Sequence, residues 1–212
     1  MKIDRSKTKF QYAISNPKQL RDFLQKNKIP SVAFIGRSNV GKSSLINAIF
    51  GKSTAKVSKT PGRTQAVNVF TFGVEKDEFE NEFILYDLPG YGFAKVSTTM
   101  KKNWNILIND FFSHASNDCL FLNLQDSRNP AQKTDIDFYQ YIKKSTQEKY
   151  LILNKIDKLK TQKDRNTLKN QMEDIYKTFK KFKQIYKTSA EKKTGVDQLE
   201  ESIIKFLLKT PT

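Results

Sequence analysis

The sequence has very little of the residues on which disulfide-rich and zinc-binding proteins depend. Cys119 is the only cysteine and His114 the only histidine, so the chain cannot close an internal disulfide and has no His/Cys cluster for zinc. We interpret both as structural residues. A chain with one cysteine suits a reducing cytoplasm, which is the predicted location.

Long apolar runs are also missing. The longest, such as VAFI (32–35) and YLIL (150–153), are far shorter than the roughly 18 residues that cross a bilayer. The first ten residues, MKIDRSKTKF, are charged and contain no apolar segment typical of a secretory signal. We therefore expect no membrane span and no secretion signal.

Acidic residues are scarce relative to basic ones. The chain has 38 Lys and Arg against 22 Asp and Glu, a formal net charge of +16. Residues 158–193 hold twelve of the basic residues and four acids, a net charge of +8. Such a segment favours polyanions such as RNA, although a lysine-rich face that only meets solvent would have the same composition.

The hydrophobic content and the order of apolar segments predict one folded α/β domain. Hydrophobic residues make up 37% of the 212, and apolar runs alternate with segments of helical period. We predict a three-layer fold, with a mostly parallel central sheet, one antiparallel hairpin strand, and helices on both faces. The hairpin joins 66–74 to 81–88, and the other strands are better candidates for parallel pairing. The predicted strands are 9–14, 31–35, 66–74, 81–88, 118–126, 150–154 and 184–189, and the predicted helices are 17–27, 42–50, 98–114, 132–145, 162–180 and 196–208.

The segment GRSNVGKSS (36–44) indicates a phosphate-binding loop. Gly36, Gly41, Lys42 and Ser43 match G-x-x-x-x-G-K-[ST] between a predicted strand and a predicted helix, which is the context that the motif requires. Glycines let backbone N–H groups surround an anion, and the helix adds its positive N-terminal end. Lys42 would reach the β and γ phosphates, and the Ser43 hydroxyl would bind Mg²⁺.

Two further motifs follow predicted strands. LYDLPG places Asp87 at a strand end, where it would hold Mg²⁺ through water, with the N–H of Gly90 near the γ-phosphate. LILNKID places Asn154, Lys155 and Asp157 at the end of another predicted strand. The Asp157 carboxylate can accept from N1–H and the 2-amino group of guanine, whereas adenine has neither donor there and would leave the carboxylate unpaired. GTP is therefore favoured over ATP, its rival, and a backbone N–H at Ser189 or Ala190 would meet the guanine O6.

The chain resembles the EngB (YihA/YsxC) family of Era-like bacterial GTP-binding proteins. The resemblance rests on GRSNVGKSSLIN, SKTPGRTQAVNVF, DLPGYGFAKV, the helix around Trp104, and NKID, and it extends from about residue 10 to 208. It implies a P-loop GTPase domain over 31–209, preceded by a strand and helix extension over 1–30. It also implies that Thr64 is the threonine that binds Mg²⁺ when the γ-phosphate is present, although composition alone leaves Thr60 open.

Motifs and resemblance together define the expected site. Lys42, Thr64 and Gly90 are the expected catalytic residues, and Ser43 and Thr64 the metal ligands, with Asp87 acting through water. The full expected nucleotide-binding set is Gly36, Arg37, Ser38, Asn39, Val40, Gly41, Lys42, Ser43, Ser44, Gly62, Arg63, Thr64, Gln65, Ala66, Asp87, Leu88, Pro89, Gly90, Asn154, Lys155, Ile156, Asp157, Thr188, Ser189 and Ala190.

Hydrolysis is expected to be slow. Ras-like enzymes orient the attacking water with a glutamine just after D-x-x-G, and here that position is Tyr91. Asn39 is placed to hold K⁺, which would replace an arginine finger, and Arg63 could also enter the site. Tyr91 and Phe93 either contact a partner or pack inside; the sequence leaves both open.

The resemblance implies a role in assembling the large ribosomal subunit and in normal cell division and septation. The expected partners are GTP or GDP and rRNA or a pre-50S particle, and the expected state is a monomer. One alternative is a GTP-sensing interaction module of the division machinery that hardly hydrolyses GTP. Another is a nucleic-acid-binding protein whose nucleotide site has lapsed, against which the intact motifs speak.

Overall fold

The computed structural model describes residues 1–56, 66–75, 81–92 and 97–209. Its centre is one sheet of seven strands in the order β1-β3-β4-β2-β5-β6-β7. The strands are β1 (Ile3–Ile14), β2 (Ser31–Gly36), β3 (Val67–Val74), β4 (Phe83–Asp87), β5 (Cys119–Asp126), β6 (Lys149–Asn154) and β7 (Gln184–Lys187).

Helices cover both faces of the sheet, as predicted. The buried side chains of α1, α3, α4 and α5 share one apolar cluster with the strands, and those of α2 and α6 share the other. No helix in the described part of the chain is long and apolar enough to cross a membrane. The helices are α1 (Pro17–Lys26), α2 (Lys42–Phe50), α3 (Thr98–His114), α4 (Lys133–Ile142), α5 (Gln162–Thr178) and α6 (Val196–Lys209), with a 3₁₀ helix at Ile156–Lys158.

The strand directions confirm a mostly parallel sheet with one reversed strand. β2 pairs in parallel with β4 and β5, and the β5–β6 and β6–β7 pairs are parallel too. β3 runs antiparallel to β4, as the predicted hairpin requires. The parallel pairing expected of the first strand is wrong, because β1 lies outside β3 and its ladder with β3 is antiparallel.

Most predicted boundaries fall within two or three residues of the observed ones. The largest difference is β1, which begins at Ile3 instead of residue 9, because the polar segment 3–8 has no alternation to mark it as a strand. β7 ends at Lys187 and α4 at Ile142, earlier than predicted. The division into an extension over 1–30 and a domain over 31–209 stays a prediction; β1 itself is an edge strand of the same sheet.

Local sequence explains where the helices begin. The Asn16 side chain accepts hydrogen bonds from the backbone N–H groups of Lys18 and Gln19, and Pro17 occupies the first turn of α1, where its missing N–H costs nothing. Thr161 and Asp164 form a reciprocal capping box at the start of α5.

Phe111 is central to the packing between α3 and the sheet. It is fully buried and its ring contacts those of Tyr86, Phe112 and Phe121, at centroid distances of 5.0, 5.8 and 6.0 Å. Tyr86 and Phe121 lie on strands, so this one side chain joins the helix to both β4 and β5.

We predict that Phe111→Ala lowers the free energy of unfolding by about 3 to 5 kcal/mol, because it removes buried apolar surface and leaves a cavity. Ile106→Ala on the same helix is the matched control. Ile106 is 42% exposed, so its truncation should change stability by less than about 0.5 kcal/mol. Equal losses in urea unfolding of the two variants would contradict this packing.

Candidate functional site

The predicted site residues in the described ranges lie beyond the carboxyl ends of neighbouring parallel strands. Gly36 ends β2, Asp87 ends β4, Asn154 ends β6, and Thr188 follows β7. Carboxyl ends of parallel strands meet at one edge of the sheet, where α/β proteins bind ligands. The fold therefore brings these motifs together.

The two glycines of the phosphate-binding motif are required by close approach. A Cβ on Gly36 would lie 2.6 Å from the carbonyl oxygen of Leu124. Gly41 has a φ of +91°, and its Cβ would lie 2.6 Å from the Asn154 Nδ2. α2 begins immediately afterwards at Lys42, and no described side chain caps its first turn. The N–H groups of that turn therefore face the site, as an anion-binding helix end requires.

Asn154 joins three loops. Its Nδ2 donates to the carbonyl oxygens of Val40, at 3.0 Å, and Gly41, at 3.4 Å. Its Oδ1 accepts a hydrogen bond of 3.1 Å from the Thr188 hydroxyl. Asn154 is only 1% exposed, so these partners replace the water that its amide loses on burial. The loops after β2, β6 and β7 are thereby held in fixed register.

Lys155 adds a second link, from the loop after β6 to the loop after β2 and to the end of β5. It has a φ of +66°, and its ammonium group donates to the carbonyl oxygen of Asn39 and to the Asp126 carboxylate, at 3.2 Å. Asp126 also accepts two hydrogen bonds from Arg128, at 2.9 and 2.7 Å. Burial alone would raise the pKa of Asp126, but Arg128 and Lys155 outweigh it and lower the pKa to about 2.

Asp157 is held as a charged acceptor beside this loop. Ser189 Oγ donates to it at 2.6 Å, and Lys158 Nζ lies 3.2 Å away. Burial opposes ionisation of Asp157, but the bonds from Ser189 and Lys158 outweigh it, so the pKa lies below its usual value. The Ser189 N–H is already donated to the carbonyl oxygen of Thr194, at 2.9 Å. The backbone N–H of Ala190 is therefore the one that we expect to meet the guanine O6.

Lys42 and Asp87 meet where the phosphates and a metal are expected. The Lys42 ammonium contacts one Asp87 oxygen, and Asn68 Nδ2 donates to the other at 3.3 Å. Asp87 is 3% exposed. Ser43 follows on the first turn of α2 and is half-buried.

The D-x-x-G segment is joined to the phosphate-binding loop by backbone bonds. The N–H of Tyr91 donates to the carbonyl oxygen of Gly36, and that of Ser38 donates to the carbonyl oxygen of Tyr91, both at 3.1 Å. A Cβ on Gly90 would lie 2.9 Å from the Gly36 oxygen, so this approach requires glycine. Trp104 of α3 donates to the carbonyl oxygen of Pro89 at 3.2 Å, and Leu88 is buried.

Tyr91 packs inside, which decides one alternative that the sequence left open. It is 4% exposed and its ring stacks on Phe138 at 4.4 Å. Its hydroxyl donates to Asp135 Oδ1 at 2.9 Å and accepts from Asn123 at 3.1 Å. Burial raises the pKa of Tyr91 well above its usual value, so the phenol remains a neutral donor.

The Arg37 side chain points away from the phosphate-binding loop. Its Nε lies 3.0 Å from both oxygens of Asp135, which is fully buried. Burial raises the pKa of Asp135, and the charge of Arg37 offsets only part of that rise. Arg37 therefore fixes the loop against α4, and only its backbone faces the nucleotide site.

Several expected residues lie outside the described residues. They are Gly62, Arg63, Thr64 and Gln65, together with Thr60 and Phe93. Of the remaining expected residues, Ser44 is exposed on α2, Ala66 precedes β3, and Ile156 begins the 3₁₀ helix.

Sequence reasoning missed four residues that position the others: Asn68, Asn123, Asp126 and Asp135. Asp126 carried a usable signal, because it ends an apolar strand just as Asp87 does. The other three act through contacts that no local spacing marks.

The proteins to which this chain is similar are GTP-binding proteins. A family model described as 50S ribosome-binding GTPase matches residues 31–155. A relative from Mycoplasmopsis synoviae (strain 53), a probable GTP-binding protein EngB, is 37% identical over 196 residues, covering 92% of this chain and 97% of the relative.

Two solved structures of Era are similar in fold. A point variant of Aquifex aeolicus Era bound to GDP.AlF4- is 26% identical with a TM-score of 0.68, and the match covers 85% of this chain and 57% of Era. Era in complex with MgGDPNP and nucleotides 1506–1542 of 16S ribosomal RNA is 27% identical with a TM-score of 0.67, covering 84% and 57%. The match thus spans little more than half of either Era chain.

The identity to the EngB relative extends over nearly the full length of both chains, and the family model covers the loops after β2 and β4 and ends at Lys155, just after β6. The chain therefore belongs to the EngB family of GTP-binding proteins, with a GTPase domain of the P-loop fold.

Proposed function

We propose that the chain is a GTP-dependent switch that hydrolyses GTP slowly and acts in the assembly of the large ribosomal subunit. The observation that carries this proposal is the position of Asn154, which bonds to the phosphate-binding loop and to Thr188 at once. The loop expected to contact the phosphates and the loops expected to contact the base are thereby held at a fixed separation.

Guanine is read by a carboxylate that is already oriented. Ser189 fixes one oxygen of Asp157 and favours its charged form, so the carboxylate is prepared to accept from N1–H and the 2-amino group. The stem of Lys155 runs from this loop toward Asn39 and would cover one face of the base. Preorganised acceptors of this kind discriminate strongly, because a wrong base leaves them unpaired.

The donors present suit Mg²⁺. No group of three or more His, Cys, Asp or Glu side chains that could hold a metal occurs in the described ranges. Mg²⁺ needs no such cage, since it keeps several waters and binds phosphate oxygens with few protein ligands. Ser43 would bind it directly, Asp87 through water, and Thr64 in the GTP state. When bound, the ion neutralises charge that develops on the phosphates.

The position of Tyr91 supports the proposal of slow hydrolysis. Its ring is stacked on Phe138 and its hydroxyl is used by Asp135 and Asn123, so this side chain cannot orient water. Lys42, the N–H groups of the loop and the N–H of Gly90 would stabilise the transferring phosphoryl group. The same observation is compatible with a second candidate, a GTP-sensing module of the division machinery that hardly hydrolyses GTP.

The ribosomal part of the proposal rests on relatives and on charge. The matching family model is described as a 50S ribosome-binding GTPase, and one Era structure holds a segment of rRNA. A net charge of +16 supports binding to rRNA or a pre-50S particle. We propose a cytoplasmic monomer, with the septation role as a further part of the proposal.

Potassium should stimulate hydrolysis if Asn39 holds the ion beside the phosphates. Asn39 has a φ of +65° and is exposed on the loop, with its carbonyl oxygen bound by Lys155. We expect faster phosphate release in KCl than in NaCl at equal ionic strength, and loss of this difference in Asn39→Ala. Identical rates of the parent in the two salts would contradict the role of Asn39.

Sedimentation of lysate tests the ribosomal role. With a non-hydrolysable GTP analogue at low salt, we expect the chain to migrate with large-subunit particles. With GDP, or at high salt, it should migrate as free protein. Asp157→Asn is the matched control, because it should lose guanine nucleotide while its surface charge away from the site is unchanged. Migration of the parent as free protein under every condition would contradict the proposal.

A further inference from the structure

Most of the net positive charge lies in two segments that contain the edge strands of the sheet. Residues 1–28 hold eight basic residues against Asp4 and Asp22, a net charge of +6, and residues 158–193 contribute +8. Together these two segments carry +14 of the total +16. The first includes β1 and the second includes β7, which are opposite edge strands of the sheet. Six strand spacings separate them, about 29 Å.

The pairing of the edge strand β1 with β3 is irregular, and the irregularity leaves part of β1 unpaired. Asp4 pairs with Gly73 and Lys9 with Thr71, and the register shifts between these two pairs. Residues 5–8 therefore leave the ladder and bulge away from the sheet. An added protein strand needs a continuous row of N–H and C=O groups, which this bulge interrupts. The edge is a poor template for a protein strand.

A cavity of about 500 Å³ lies beneath the bulge. The exposed ring of Phe10 forms one wall, with the buried rings of Phe50 and Phe70 behind it, and the exposed Ser53 adds a hydroxyl. An aromatic face beside a hydroxyl suits a planar heteroaromatic ligand that can both stack and hydrogen-bond, and a nucleobase fits a space of this size.

Two exposed aromatic rings lie on β1, Phe10 on the face of the sheet that carries the cavity and α2, and Tyr12 on the opposite face beside α1. Phe10 is 57% exposed and Tyr12 54% exposed. Each is supported by one interior ring, Phe10 by Phe70 at 5.4 Å and Tyr12 by Phe23 at 5.7 Å. Such rings are held in place and still offer area to a stacking base, which is how proteins bind unpaired nucleotides.

Basic side chains lie beside these rings. Lys9 is exposed next to Phe10, and no described carboxylate forms an ion pair with it. Lys52 is exposed at the rim of the cavity. Arg5 serves the fold instead, because its Nε donates to the carbonyl oxygen of Ile49 at the end of α2 and its guanidinium pairs with Glu200. Lys9 and Lys52 can therefore contact phosphates while Arg5 holds the bulge.

We propose that this edge, formed by Lys9, Phe10, Tyr12 and the cavity beneath residues 5–8, binds single-stranded RNA. One base enters the cavity against Phe10, the RNA strand crosses the β1 edge, and a base further along stacks on Tyr12 on the opposite face, while Lys9 contacts a phosphate between them. The inference deepens the proposed ribosomal function and rests on it, since it names the face that would meet an unpaired segment of rRNA.

The test measures the affinity of the full chain for a fluorescent 12-nucleotide single-stranded RNA by anisotropy over a series of salt concentrations. Phe10→Leu and Tyr12→Leu keep apolar volume but remove the stacking face, and each should weaken binding roughly ten-fold. Lys9→Gln keeps both rings and should reduce the slope of log affinity against log salt by about 0.7. Melting temperature and GDP affinity should stay at parental values in all three.

Matched controls separate this surface from other exposed aromatics. The double variant Tyr141→Leu, Lys144→Gln removes a ring that is 45% exposed and a lysine, both on the side of α3 and α4. It should not alter RNA affinity. Tyr176→Leu with Lys180→Gln changes a ring of 58% exposure in the segment at the β7 edge. Losses confined to the Tyr176 pair, or parental affinity in the β1 variants, would overturn the inference.

Sedimentation of the β1 variants distinguishes this inference from the proposed function. If the parent co-migrates with particles and the variants bind the 12-mer weakly, both the proposed function and the RNA inference are supported. If the variants leave the particles but keep parental affinity for the 12-mer, the edge meets protein and the RNA inference fails. If the parent never joins particles, the ribosomal function fails, and the anisotropy series still decides whether the edge binds single strands.

Discussion

The buried carboxamide of Asn154 is the constraint on which the site depends. It has to satisfy a donor and an acceptor away from water, and it does so with carbonyl oxygens from the loop after β2 and a hydroxyl from the loop after β7. A small displacement of either loop would leave a buried polar group unpaired, at a cost of about 1 to 3 kcal/mol. The nucleotide loops are therefore stiff before any ligand arrives.

A second connection acts on the opposite side of the phosphate-binding loop. Gly36 and Ser38 form backbone hydrogen bonds with Tyr91. The Tyr91 hydroxyl and the Arg37 Nε both donate to the Asp135 carboxylate. Asp135 also accepts from the Gln132 N–H in the capping box of α4. The start of the segment after β4 is thus anchored to α4. This arrangement explains how a phenol can occupy the position of a water-orienting glutamine.

Much of the fold and the motif positions could be predicted from the sequence, because these depend on local patterns. Apolar strands, helical periodicity and the spacing of Gly36, Gly41 and Lys42 are visible in short windows. Asp87, Asn154 and Asp157 follow apolar strands, and parallel topology then places them at one edge. The pairing of β1 was harder, since edge position and strand direction depend on the whole sheet.

The parts that escaped prediction depend on long-range contacts. Asn68 meets Asp87 through the β3–β4 ladder, and Asp135 meets Arg37 across 98 residues of sequence. The inward position of Tyr91 was undecided because a tyrosine after D-x-x-G is compatible with both burial and exposure. Phe138 and Asn123 decide it, and neither lies near Tyr91 in sequence.

The central claim is that the loops fixed by Asn154 present Asp157 to the 2-amino edge of guanine. Calorimetric titration of the parent and of Asp157→Asn with GDP, ADP and xanthosine diphosphate tests it most directly. The parent should prefer GDP over ADP by more than about 100-fold, and Asp157→Asn should prefer xanthosine diphosphate, because its amide can donate to the carbonyl that replaces the 2-amino group. Equal affinity of the parent for GDP and ADP, or an unchanged preference in the variant, would contradict the account.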